Sequence, residues 1–196
     1  MRPILTLITP PAAEPIDVDD VKLHLRIDVT DEDVILQSYL DTALGMLDGP
    51  RGEIGRALVT QTWRQDQAGP GALNRVCLEV PPVATLTAVE YVDTAGATQV
   101  ANTADFQLIP LNDGFAYVEP KAGKVWPSRA SRPDALRITF TAGTDEGKVP
   151  ETIKNALRLL TGHFYKEREE TSVAPLREIP VGVDRLLDQH RVKRFA

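Results

Sequence analysis

The chain has 196 residues, 42% of them hydrophobic and 26% charged, a balance ordinary for a globular protein and sufficient for one core with an inserted subdomain. Its single cysteine, Cys77, excludes an intramolecular disulfide framework and a thiolate metal cluster, which fits a cytosolic folding compartment; no run approaches the roughly 20 apolar residues of a membrane helix. The net charge of -6 is unevenly placed, with three bases and ten acids in residues 1–50, fourteen and fifteen in 51–170, and five and three in 171–196. Solvated helix faces and a basic tail account for this, and attraction between the two ends of neighbouring copies is the alternative. An acidic chain without a basic stripe argues against a grip on nucleic acid by phosphate neutralisation.

In chain order, residues 1–16 are too short in their apolar part and too proline-rich for a secretory signal and read as an extended arm. DVDDVKLHLRI (17–27) opens on a capping Asp17 and places Val18, Val21 and Leu25 on one face, which predicts a short helix. TDED (30–33) resembles a capping box and leads a second helix over 31–48, with Leu36, Leu40, Ala43, Leu44 and Leu47 as its stripe and Gly49-Pro50 as its stop.

The period then changes from 3.6 to 2. Seven short β-branched or aromatic runs, at 57–65, 74–80, 83–92, 97–101, 105–109, 115–119 and 135–142, are bounded by turn residues such as DTAG and LNDG. Pro81-Pro82 must interrupt pairing between two of them. The helical period returns over 150–168, where Ile153, Ala156, Leu157, Leu160 and Phe164 form an apolar face behind Pro150 and Glu151. One helix of about five turns cannot bury that face alone, so the elements before it must supply partners. The expected fold class is α+β: a connector domain over 17–170 with a helical core and an antiparallel β insertion at about 57–142, followed by an extended tail at 171–196. In that tail Ile179, Val181, Val183, Leu186 and Leu187 are too apolar for a linker, so the segment orders by docking on a partner, or alternatively packs back on its own domain.

Candidate chemistry is sparse. His24, His163 and His190 fall in separate segments without metal-ligand spacing, and the nucleotide-binding and hydrolase signatures GxGxxG, GxxxxGK[ST] and GxSxG are absent from the sequence. Asp17, Asp19, Asp20, Asp28, Asp31, Glu32 and Asp33 invite a divalent-metal reading, but helix caps explain several of them without any ion and no EF-hand glycine stands at the required spacing. Cys77 lies in a strand pattern and reads as a buried, inert thiol, and Trp63 and Trp126 read as core or subunit-contact aromatics. No catalytic residue, cofactor or metal is expected. The enzyme alternative is a small cytosolic hydrolase or carbohydrate-processing domain using Asp105, Asp113 and Glu119 near the hairpin turns.

The order of VKLHLRID, DEDVILQSYLDTALGMLD, GRALVTQTW, LEVPPVATLTAVEYVDTAG, KVWPS, ITFTAGT, VPETIKNALRLLTGHFYKERE and IPVGVDRLLDQHRV resembles that of the head-tail connector (adaptor) proteins of tailed bacteriophages and gene transfer agents. The resemblance spans nearly the whole chain and implies a structural, non-catalytic protein of the virion neck, present in the bacterial host cytoplasm during assembly. It implies a homo-oligomeric ring, typically of twelve copies, joining portal protein to a stopper or tail protein, with double-stranded DNA passing through the lumen without sequence-specific binding. It further implies that the C-terminal segment inserts against the portal, with Ile179, Val181, Val183, Leu186 and Leu187 as apolar contacts and Arg185 and Arg191 as charged ones. The central sheet receives no assigned surface, and a stopper or tail-completion protein of the same neck is the alternative role.

Overall fold

The structure, a computed structural model, describes residues 2–167 and 180–192. These fall into two units, one of residues 2–12 and 59–144, the other of residues 13–58, 145–167 and 180–192.

The second unit is helical. Its first helix, α1 (Val18–Leu25), starts where the Asp17 carboxylate accepts the Asp20 N–H at 2.8 Å and stops at Arg26, whose φ of 59° is left-handed. Helix α2 (Asp33–Leu47) buries Leu36, Leu40, Ala43 and Leu47 completely. The capping box expected at Thr30 does not form: α2 begins at Asp33 without a side-chain cap, and the Asp33 carboxylate instead pairs with Lys22 Nζ of α1 at 2.7 Å. A full ammonium charge competes well against a single backbone N–H for that carboxylate.

Helix α3 (Glu151–Lys166) packs against α1, α2 and α4 (Val181–Asp188), which makes it the centre of the unit. Its stripe of Ile153, Ala156, Leu157 and Leu160 is buried, each large side chain contributing about 1.5–3 kcal/mol, while Phe164 at the frayed end is only half-buried. Pro150 is the cap preceding the first turn. Ion pairs ring this core, Arg158 reaching Asp20 at 3.1 Å.

The first unit is antiparallel β. One sheet has the order β1-β2-β8-β4-β5, from β1 (Ile4–Thr9), β2 (Gln61–Gln67), β4 (Val83–Val92), β5 (Thr98–Ala101) and β8 (Leu136–Ala142). The other has the order β3-β7-β6, from β3 (Val76–Leu78), β6 (Phe106–Pro110) and β7 (Ala116–Pro120). The proline-rich arm is therefore an edge strand, paired with β2 from Ile4 opposite Asp66 to Thr9 opposite Thr62. Strand β8 alternates cleanly, Leu136, Ile138, Phe140 and Ala142 buried and the residues between them half-exposed. The chain leaves one sheet for the other at the cis Pro81–Pro82 pair.

Gln65, fully buried on β2, joins the two sheets: its Nε2 donates to the Cys77 carbonyl at 2.8 Å and its Oε1 accepts the Glu79 N–H at 3.0 Å. Trp126 packs on Phe106 in a tilted arrangement, ring centroids 4.7 Å apart, and donates its indole N–H to the Asn74 carbonyl, and Trp63 donates to Gln61 Oε1, so both indoles are core groups. Cys77 departs from expectation. Its side chain is exposed, because β3 alternates buried Val76, exposed Cys77 and buried Leu78. After β8, Gly143 has φ +100°, and a Cβ there would lie 2.2 Å from the Val59 carbonyl oxygen, so only glycine fits.

Candidate partner-binding surface

The residues expected to contact a partner lie on and around α4. Pro180 precedes this two-turn helix, and Val183 and Leu187, four residues apart, point the same way. They point inward. Val183 is 2% exposed and Leu187 0%, with α4 packed on α3, so these two side chains hold the helix to its own unit and are not on its free surface.

Arg191 is also engaged within the unit: it pairs with Asp184 at 2.6 Å and Asp188 at 2.7 Å and donates to the Glu53 carbonyl at 3.3 Å. The next residue, Val192, donates its backbone N–H to the Ile54 carbonyl at 2.9 Å. His190 contacts Thr152 at 2.6 Å, and burial, with the nearby Arg56 charge, lowers its pKa. The alternative of packing back on the domain is what residues 180–192 adopt.

What α4 leaves free is Val181, 70% exposed, together with exposed Arg185 and half-buried Leu186. Ile179, the remaining expected contact, lies outside the described residues. Beside Val181 a groove of about 310 Å³ runs between α1, α3 and α4, lined among others by Leu25, Leu159, His163 and Lys166. His24 lines it as well, so two histidines from separate segments meet one surface. Leu159 was missed as a surface residue, although a sequence signal exists: it lies off the buried stripe of α3 and is 42% exposed.

The carboxylates considered for hydrolysis are committed elsewhere. Asp105 pairs with Lys124 at 2.9 Å, and Asp113 sits in a turn with φ 60°. Glu119 accepts from Gln107 and pairs with Arg75, which together hold its carboxyl below the usual carboxylate range. A carboxyl so stabilised in its ionised form is poorly suited to donate a proton. Among the described residues, no group of three or more His, Cys, Asp or Glu side chains could hold a metal ion.

Residues 15–49, which contain α1 and α2, match the family described as "Phage gp6-like head-tail connector protein". That segment is similar to head-tail connector proteins. Similarity to solved structures extends far beyond that segment. A chain of a structure described as "Virion of native gene transfer agent (GTA) particle" is similar over 98% of this chain and 97% of its own, at 26% identity and a TM-score of 0.76. A chain of "Neck of native GTA particle computed with C12 symmetry" gives the same coverages, 25% identity and a TM-score of 0.75. For "Neck of empty GTA particle computed with C6 symmetry" the coverages are again 98% and 97%, with 24% identity and a TM-score of 0.78, which speaks to the fold. No curated protein matches the sequence.

Proposed function

We propose that this protein is a structural adaptor in the neck of a phage-like particle, one of a ring of copies, twelve in number, joining portal protein to a stopper or tail protein. The observation that carries this reading is the likeness over 98% of the chain to components of gene transfer agent particles, with the connector match falling on α1 and α2. The role is one of assembly and requires no catalysis. Double-stranded DNA passes through the lumen, and the net charge of -6 suits a channel that must not hold phosphates. The protein resides in the virion neck after passing through the host cytoplasm during assembly.

The portal contact falls on Val181, Arg185 and Leu186, the residues α4 leaves free, whereas Val183, Leu187 and Arg191 serve by fixing the helix that presents them. A deletion of the C-terminal segment would remove core residues and confuse folding with binding, so surface substitutions are the better test. The full chain mixed with a portal protein of the same particle is expected to elute as a portal-sized complex in size-exclusion chromatography with light scattering. Val181→Glu combined with Arg185→Glu is expected to remain unbound while keeping its circular dichroism spectrum. Absence of binding by the unsubstituted chain at every salt concentration overturns the portal-adaptor reading and favours a stopper or tail-completion role.

A further inference from the structure

The five-stranded sheet ends on β1 and β5, each bonded on one side only among the described residues. The outer row of backbone N–H and C=O groups on such an edge is a template for another strand, and proteins ordinarily guard it with charge or proline. The strands themselves carry no such guard, since ILTLIT and TQVA contain no Lys, Arg, Asp, Glu or Pro, and the prolines beside β1, Pro3 and Pro10, bound it without interrupting it. Both strands carry outward apolar side chains, Ile4 at 55%, Leu7 at 42% and Ile8 at 48% exposure on β1, and Val100 at 71% on β5. The β1 register shifts between Leu7 and Thr9, which leaves a regular run of four residues, Ile4 to Leu7, the same length as β5.

We propose that β5 of one copy adds to β1 of the next, so that copies of this chain join through the two open edges of the five-stranded sheet. The inference rests on the ring reading above and names the surface that builds the ring. A cyclic ring needs two different surfaces on each copy, and one sheet with two open edges supplies them. All four neighbouring pairs in the sheet are antiparallel, so β1 and β5 run in the same direction. A copy related by a small rotation then presents its β1 parallel to β5, whereas β1 meeting β1 across a two-fold axis would pair antiparallel and close at two copies.

The two like-directed edges call for a second copy as the occupant, and charge permits it. The sheet unit holds eight acids and eight bases, while the helical unit holds twenty acids and fourteen bases. Copies that meet through their sheet units meet without net repulsion; copies that meet through their helical units bring like charge together. A chain of a neck structure computed with C12 symmetry is similar over 98% of this chain, the sheet unit included.

The test is thiol cross-linking of the full chain, free and in complex with portal protein, in a Cys77→Ser background because that thiol is exposed. Leu7→Cys, Val100→Cys and the double variant are treated with a short bis-maleimide, whose span tolerates a register difference of a residue or so. The double variant is expected to give a covalent ladder beyond the dimer. Each single variant gives none, and the two single variants mixed give dimers only. Dimers from Leu7→Cys alone would mean β1 pairs with itself, and overturn the proposal. A chain that joins the portal complex but yields no ladder there overturns the edge pairing and leaves the adaptor reading intact. A ladder from a chain that never binds portal supports the edge pairing and removes the portal reading. As a second variant, Leu7→Lys with Val100→Lys is expected to keep the circular dichroism spectrum and lose self-association, and unchanged self-association would also overturn the proposal.

Discussion

Among the described residues, the helical unit buries apolar side chains, Thr161 apart, whereas the five-stranded sheet buries Gln61, Gln65 and Asp66 beside Trp63 and Phe140. The difference follows from where backbone hydrogen bonds are made. Helix α3 satisfies its peptide groups within its own length, so its buried face needs only shape and hydrophobicity. Where β2 approaches β3, two strands of different sheets, the Gln65 amide donates to the Cys77 carbonyl and accepts the Glu79 N–H. A helical core therefore tolerates repacking in ways that a junction between sheets does not.

The largest effects should be equal in kind on the two sides. Phe140→Ala in the sheet unit is expected to cost about 3–5 kcal/mol and Leu157→Ala in the helical unit about 2–5 kcal/mol, both being fully buried, as read from urea denaturation midpoints. The contrast sharpens with polar replacements of nearly equal volume. Gln65→Leu removes both of these buried hydrogen bonds and is expected to cost about 1–3 kcal/mol for each. Thr161→Val removes a buried hydroxyl that has no hydrogen-bond partner among the described residues, and is expected to be neutral or to stabilise by up to about 1 kcal/mol. If Gln65→Leu proved harmless and Thr161→Val costly in the same denaturation series, the distinction between the units would be wrong.

Smaller effects probe the helix ends. Asp17→Ala removes the carboxylate that caps α1 and is expected to cost about 0.5–2 kcal/mol, with amide exchange faster at Asp20 than elsewhere in the helix. The smallest is pH-dependent. Burial and the Arg56 charge lower the native pKa of His190, so the unfolded chain takes up its proton first as pH falls below the ordinary histidine value of about 6.5. Its contribution is thus fully present above that value and is lost as pH drops toward the lower native pKa. Amide exchange in α4 should rise over that window, and His190→Gln should flatten the slope.

Much of this fold was legible in the letters. The stripes of α2 and α3 and the run 83–92 are local periodicities, and the structure places α2 at Asp33–Leu47, α3 at Glu151–Lys166 and β4 at Val83–Val92. The Asp17 cap was equally local, a carboxylate three residues from the N–H it accepts. Thr30 was misleading because the competitor for Asp33 was Lys22, eleven residues away on another helix. Cys77 was misleading because a three-residue strand carries too short an alternation to tell its inner face from its outer one. On the candidate surface, the apolar spacing of Val183 and Leu187 marked a helix face correctly, but spacing is the same whether the face meets a partner or its own unit.

The sequence by itself determined the three helices before the tail, most of the strands between them and the acidic balance, because period, capping and turn chemistry act over a few residues; the arm and the tail, expected to be extended, hold β1 and α4. Only the tertiary structure decided that the N-terminal arm pairs with β2, that seven inner strands divide between two sheets, and that Arg191 is held by Asp184, Asp188 and Glu53. Those outcomes depend on which distant segments win one another's backbone groups and charges. That competition is settled by packing across the whole unit, and no window of neighbouring residues contains it.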